Sequence, residues 1–243
     1  MVIKACLNGS RRPAEHPAVP LSAQELGDDA LQCQEAGAAA VHVHPRGMGG
    51  RETLEPDACA AAIEAIRDHC PELPIGLTTG LWITGSSEAR LRLIERWSTL
   101  PDFCSVNFSE AGTDELCALL LTKRIGLEAG LTSVADARAL IDSGYVERCL
   151  RVLVEVDPGT PDPLRAAATI GRVLEGAGVR LPRLQHGTGE QAWPLLEDAL
   201  SHGYDVRIGL EDTLVMPDGS PADGNAELVA AALRLSTRVA ARG

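Results

Sequence analysis

The chain lacks what several functional classes require. No stripe rich in Lys or Arg occurs anywhere, and a formal net charge of -12 leaves no electrostatic footprint for nucleic acid. No apolar run approaches the roughly 18 to 20 residues of a membrane span. The opening Met-Val-Ile-Lys-Ala runs at once into a strand-like pattern. These absences predict a cytoplasmic protein with neither nucleic acid nor membrane as a partner. The seven cysteines form no Cys-x-x-Cys pair, are odd in number and fall mostly in apolar periodic segments. Buried free thiols are expected, not a zinc knuckle or a redox dithiol. The turn Leu7-Asn-Gly-Ser-Arg11 also lacks the glycine spacing with which a dinucleotide fold brings a helix onto a pyrophosphate. No linker divides the 243 residues, so one domain, 1–243, is expected.

What is present is a regular alternation. Short β-branched runs at 2–7, 40–44, 74–78, 103–107, 124–128, 149–156, 180–185 and 205–210 read as strands. Helical patterns follow them at 22–36, 56–70, 87–97, 113–122, 133–143, 163–177, 190–201 and 224–240. Ser22 ahead of Ala-Gln-Glu is a helix N-cap, and Gly37, Gly144 and Gly178 close helices. Eight βα units in a chain of this length predict a (β/α)8 barrel, the TIM-barrel class of α/β fold.

In such a barrel the chemistry sits at the C-terminal ends of the strands. Val41-His42-Val43-His44 puts both imidazoles on one face of the second strand's exit, since side chains alternate with a period of two. Two buried imidazoles without an ion would need several separate hydrogen-bond partners. On the eighth strand Arg207, Gly209 and Glu211 share a face, and barrel closure brings that strand close to the second. His42, His44 and Glu211 therefore form a candidate three-ligand metal site with open positions, as a catalytic ion needs.

These motifs resemble the β-keto acid cleavage enzyme family over nearly the whole chain. The resemblance rests on Leu7-Asn-Gly-Ser10, His42-Val-His-Pro-Arg46, Leu77-Thr-Thr-Gly80, Ser105-Val-Asn107 and Arg207-Ile-Gly-Leu-Glu-Asp212. It implies zinc held by His42, His44 and Glu211, and acetyl-CoA as co-substrate. The implied reaction gives acetoacetate and a new CoA thioester, and the implied assembly is a homo-oligomer, commonly a tetramer. Asp212 would be the base, Arg207 its partner, and Thr78 would stand where the family has a serine. A β-keto acid can chelate a metal through its ketone and carboxylate oxygens, which suits the enolate that C–C cleavage requires.

Around that centre Ser105, Asn107, Arg46, Arg11 and Glu128 are candidate substrate-binding residues. Arg11 stands in the region where the amine-selective relative has a carboxylate, so it is expected to favour an anionic distal end. Glu155 ends the sixth strand as Glu128 is expected to end the fifth. The seventh-strand exit, Gln185-His-Gly-Thr-Gly189, departs from the family pattern and could offer backbone N–H groups to a phosphate. Two alternatives stand beside the main reading. One is a metal-dependent hydrolase or aldolase, the other a metal- or ligand-binding barrel without turnover.

Overall fold

Eight parallel strands close into a barrel in sequence order, with β1 hydrogen-bonded to both β2 and β8. The computed structural model of the protein describes residues 1–241. The strands are β1 (Ile3–Cys6), β2 (Ala40–Val43), β3 (Ile75–Leu77), β4 (Phe103–Asn107), β5 (Gly126–Leu131), β6 (Cys149–Val156), β7 (Arg183–Gly187) and β8 (Asp205–Ile208). The helices are α1 (Ala23–Glu35), α2 (Pro56–His69), α3 (Ser87–Glu95), α4 (Thr113–Thr122), α5 (Val134–Ser143), α6 (Pro163–Gly176), α7 (Ala192–Ser201) and α8 (Asn225–Ala240).

Local chemistry accounts for most of these boundaries. Ser22 and Ser133 each form a reciprocal capping box, with Glu25 and Asp136 respectively, a device that contributes about 1 kcal/mol. Pro56 and Pro163 occupy first turns, where a missing N–H costs nothing. Three strands depart from the sequence expectation by two residues or more at an end. Arg124 takes a positive φ of 62° after α4, so β5 begins only at Gly126 and continues to Leu131. β7 runs later than expected, from Arg183 to Gly187. β8 stops at Ile208 because Asp212 N and Thr213 N both donate to Gly209 O, closing a turn.

The outward faces of the strands supply the aliphatic core. Val41, Val43, Ile75, Leu77, Val152, Val154, Val206 and Ile208 are all buried between sheet and helices. All seven cysteines are free and buried, as expected. The inward faces are unusually polar. At the floor Glu128 is ion-paired with Lys4 and, at 2.7 Å, with Arg151. The two cations flank the Phe103 ring, 5.7 and 5.1 Å from its centroid. Phe103 fits only because its neighbour is Gly76, whose added Cβ would lie 2.2 Å from the ring. Burial works to raise the Glu128 pKa, but Lys4 and Arg151 outweigh it and hold the carboxyl down at about 2.

Candidate metal centre and cavity

Above that floor, at the C-terminal ends of the strands, a cavity of about 380 Å³ opens. Its walls include His42, His44, Thr78, Trp82, Ser105, Asn107, Glu155, Arg207 and Glu211. The period-two alternation works as the sequence implies. His42 and His44 both turn inward, with their Nε2 atoms 3.1 Å apart. Asn8 fixes the backbone beneath them, accepting from His44 N at 2.9 Å and donating to His44 O at 2.9 Å. Glu211 approaches from the turn after β8, with its oxygens 3.6 Å from His44 Nε2 and 4.0 Å from His42 Nε2. It can do so because Gly9 lies beneath it. A Cβ there would meet Glu211 Cγ at 2.3 Å, and the φ of +49° also suits glycine.

This donor set fits a divalent cation. One ligand atom from each of His42, His44 and Glu211 lies within 4.8 Å of the others. Burial pushes His42 down to about 3, so its ring stays neutral with a lone pair for ligation. Burial also works against a charged His44, but the Glu211 and Glu52 carboxylates outweigh it and raise that group. Glu211 is held well below the usual carboxylate range: burial opposes ionisation, and Arg207, His44 and His42 overcome it. Its Oε2 is buried without a hydrogen-bond partner among the described residues, an anionic atom facing two imidazoles.

Arg207 joins the two acidic residues of the β8 turn. Its Nη2 donates to Glu211 Oε1 at 2.7 Å and to Asp212 Oδ1 at 2.6 Å, while Nε reaches both Asp212 oxygens at 3.2 Å. Asp212 is fully buried behind this guanidinium and does not line the cavity. Arg207 is therefore the group that faces the chamber, and Asp212 lies one contact deeper.

The other expected site residues divide into two groups. Thr78, Ser105, Asn107 and Arg11 lie on the cavity wall, and Asn107 Nδ2 also donates to Glu110 Oε1 at 2.9 Å. Glu128 and Arg46 do not reach it. Glu128 sits mid-strand in the sealed floor, because β5 runs past it to Leu131 and two cations stabilise it there. The Arg46 guanidinium turns away to the carbonyls of Gly9 and, at 3.1 Å, Arg11, so it holds the loop after β1 in place. Arg11 itself is already engaged, Nη1 by Glu15 at 2.8 Å and Nε by Leu210 O at 3.2 Å. In the suggested phosphate turn, two N–H groups bond within the chain. Gly189 N donates to Asp212 O at 2.7 Å, and Gln191 N donates to Thr188 O at 3.2 Å.

Sequence reasoning missed Glu52 altogether. Its Oε1 lies 2.6 Å from His44 Nδ1, and the carboxylate also accepts from Ser10 Oγ at 2.8 Å and Trp82 Nε1 at 3.3 Å. A carboxylate on Nδ1 fixes the tautomer that leaves Nε2 free to ligate. The one local signal was Gly47-Met-Gly-Gly50, a turn that folds the chain back so that Arg46 and Glu52 bridge antiparallel.

Comparison with known proteins agrees with this geometry. A family model described as beta-keto acid cleavage enzyme matches residues 1–123 and 130–242. The chain is 26% identical to a 3-keto-5-aminohexanoate cleavage enzyme of Fusobacterium nucleatum, over 97% of this chain and 91% of the relative. It is also 26% identical to a 3-oxoadipate:acetyl-CoA acetyltransferase of Cupriavidus necator, over 94% of this chain and 85% of that one. Among solved structures, ObcA in a binary complex with oxaloacetate superposes with a TM-score of 0.73 at 17% identity. That match covers 93% of this chain and 64% of ObcA, so the chain spans about two thirds of the longer protein and the likeness carries the barrel fold alone.

Proposed function

Since the chain belongs to the beta-keto acid cleavage enzyme family, we propose that it joins a β-keto acid to acetyl-CoA and cleaves the product to acetoacetate and a new acyl-CoA. The observation that carries this reading is the buried, unpartnered Glu211 oxygen facing His42 and His44 in a chamber sized for a small acid. Relatives named for keto acid cleavage and for acetyl-CoA acetyl transfer support the reaction class. A paraburkholderial relative, 23% identical over 89% of this chain and 83% of its own length, is named 3,5-dioxohexanoate:acetyl-CoA acetone transferase and points the same way.

His42, His44 and Glu211 would hold a divalent ion, zinc by resemblance to the family. A bound ion of that kind supplies Lewis acidity that favours the enolate over the keto form. The chain's own groups do the rest. Thr78, Ser105 and Asn107 present hydroxyl and amide groups to the substrate from β3 and β4. Arg207 offers a guanidinium to an incoming carboxylate, and a charge-assisted pair of this sort orients as well as binds. Asp212 is the proton acceptor and Arg207 its gate. While the guanidinium holds both carboxylate oxygens, Asp212 is unavailable. When Arg207 turns to the substrate, Asp212 is freed to take the proton from the carbon between ketone and carboxylate. The carbanion then displaces CoA thiolate from acetyl-CoA, and the thiolate adds to the substrate's ketone carbon. The C–C bond beside that carbon breaks to give the new acyl-CoA and the acetoacetate enolate, to which Asp212 returns the proton.

The test is direct. Purified protein loaded with a divalent metal is incubated with acetyl-CoA and a panel of β-keto acids, and acetoacetate is measured. Acetoacetate formation that requires both substrates is expected. Its absence across the panel, with metal bound, overturns the proposal.

A further inference from the structure

The chamber contains a carboxylate that this chemistry leaves unused. Glu155 stands near the end of β6, and the β6–β7 register pairs it with His186. Both side chains turn inward, while Gln185 beside them turns outward and donates to Leu195 O and Asp198 Oδ2. His186 is 1% exposed and lies between two carboxylates, Nε2 3.1 Å from Glu155 Oε2 and Nδ1 3.4 Å from Asp212 Oδ1. The contact with Glu155 is a hydrogen bond, for which Nε2 carries the proton, whereas Nδ1 faces Asp212 without bonding to it. Burial and Arg207 oppose a charge on the ring, but Glu155 and Asp212 outweigh them and raise the group. Burial likewise opposes ionisation of Glu155, and His186 outweighs it, holding the carboxyl at about 2.

His186 thus pins one oxygen of Glu155. The other oxygen makes no hydrogen bond to the chain among the described residues, and the side chain is 33% exposed on the cavity wall. Neither cation of that wall is hydrogen-bonded to it. Arg11 is engaged by Glu15 and Leu210, and Arg207 by Glu211 and Asp212. Position matters as well. The metal ligands come from β2 and the β8 turn, and β6 lies four strands from β2 in a closed ring of eight, on the opposite side of the mouth. A substrate whose keto acid end sits at His42, His44 and Glu211 directs its far end toward Glu155.

We propose that Glu155, positioned by His186, reads the distal end of the substrate, so that the enzyme prefers β-keto acids ending in a hydrogen-bond donor, an ammonium or a hydroxyl. Acids ending in methyl or carboxylate are disfavoured. The inference rests on the β-keto acid reading of the site. It also reverses the anionic preference expected from Arg11, whose guanidinium is already occupied.

The experiment compares kcat/KM for β-keto acids of equal length ending in ammonium, hydroxyl, methyl or carboxylate. Wild type, Glu155→Leu, Glu155→Asp and His186→Gln are assayed with each acid. A charge-assisted hydrogen bond corresponds to a wild-type preference for ammonium over methyl of about 10- to 100-fold. Glu155→Leu is expected to bring the ratio to about one, and Glu155→Asp to restore part of it. His186 also abuts Asp212, so His186→Gln should raise KM most for the ammonium-ended acid and so shrink its preference, over and above any loss common to all acids. A second arm titrates matched 3-hydroxy acids into metal-loaded protein by calorimetry, and the same preference is expected in Kd. A preference that survives Glu155→Leu, or equal affinities in wild type, overturns the inference, as does an equal loss of kcat on every acid. Failure to turn over any acid counts against the proposed reaction alone, since the binding arm still decides whether Glu155 reads the ligand.

Discussion

Glu52→Gln separates the charge of the His44 partner from its shape. Glu52 Oε1 lies 2.6 Å from His44 Nδ1, and the carboxylate is further fixed by Ser10 and Trp82. Burial works to raise its pKa, but His44, Ser10 and Trp82 outweigh it and hold it below the usual range, so it is a carboxylate at neutral pH. Glutamine keeps an oxygen to accept from Nδ1–H and removes the negative charge that makes the ring a stronger donor. Loss of such an outer partner weakens metal binding by about 10- to 100-fold, which corresponds to about 1.4 to 2.7 kcal/mol. The measurement is competition with a chromogenic chelator for wild type, Glu52→Gln and Glu52→Ala, with melting of the apo proteins to verify folding. Alanine should cost at least as much as glutamine. If Glu52→Gln binds the metal within about twofold of wild type while folded, Glu52 does not tune His44 and the argument from its position fails.

The three proposed ligands carry a simpler expectation: His42→Ala, His44→Ala and Glu211→Gln should each leave the purified protein nearly free of metal by elemental analysis, and near-full content in any of them removes that residue. Asp212→Asn should keep the metal and lose at least about 100-fold in kcat, in keeping with general base catalysis; undiminished turnover would end its proposed role. Asp29, under the N-terminus of α8, offers a pH test away from the site. It accepts from Asn225 Nδ2 at 2.6 Å, yet burial raises its pKa to about 7. The folded state therefore binds a proton that the unfolded chain releases near the ordinary value of 3.8, so stability from this group falls as pH rises from about 4 through 7. Asp29→Asn should gain melting temperature relative to wild type across that window, and a difference that does not change with pH refutes the burial account.

The barrel and the meeting of His42 with His44 were legible because they depend on local periodicity. Eight apolar runs of strand length alternating with helical patterns leave few other topologies, and the period of two places His42 and His44 on one face without any tertiary knowledge. The errors occur where a long-range contact overrides a local rule. A charged residue usually ends an apolar strand, so Glu128 read as an exit, whereas Lys4 and Arg151, 124 and 23 positions away, make it a mid-strand residue of the floor. Arg46 lies beside the ligands in sequence, but its length lets it reach back to the loop after β1. Glu52 follows no periodic pattern, and only the return of its loop onto His44 reveals it. Glu155 and His186 were each visible singly. What the sequence could not express is that they are register partners, which depends on the alignment of β6 and β7.

The ion group beneath the chamber also governs how this chain can diverge. Lys4, Glu128 and Arg151 come from three different strands, and Glu128 is fully sealed from solvent. Removing Glu128 alone leaves the two cations without their shared anion, at about 3 to 5 kcal/mol, a large share of the stability of an ordinary domain. Descendants of this sequence can therefore exchange residues freely around the mouth, one at a time, and so explore new acids. The three floor positions can change only together, or along a path that first gives up one of the two cations, so they should form a co-inherited unit that drifts more slowly than the residues that select the substrate.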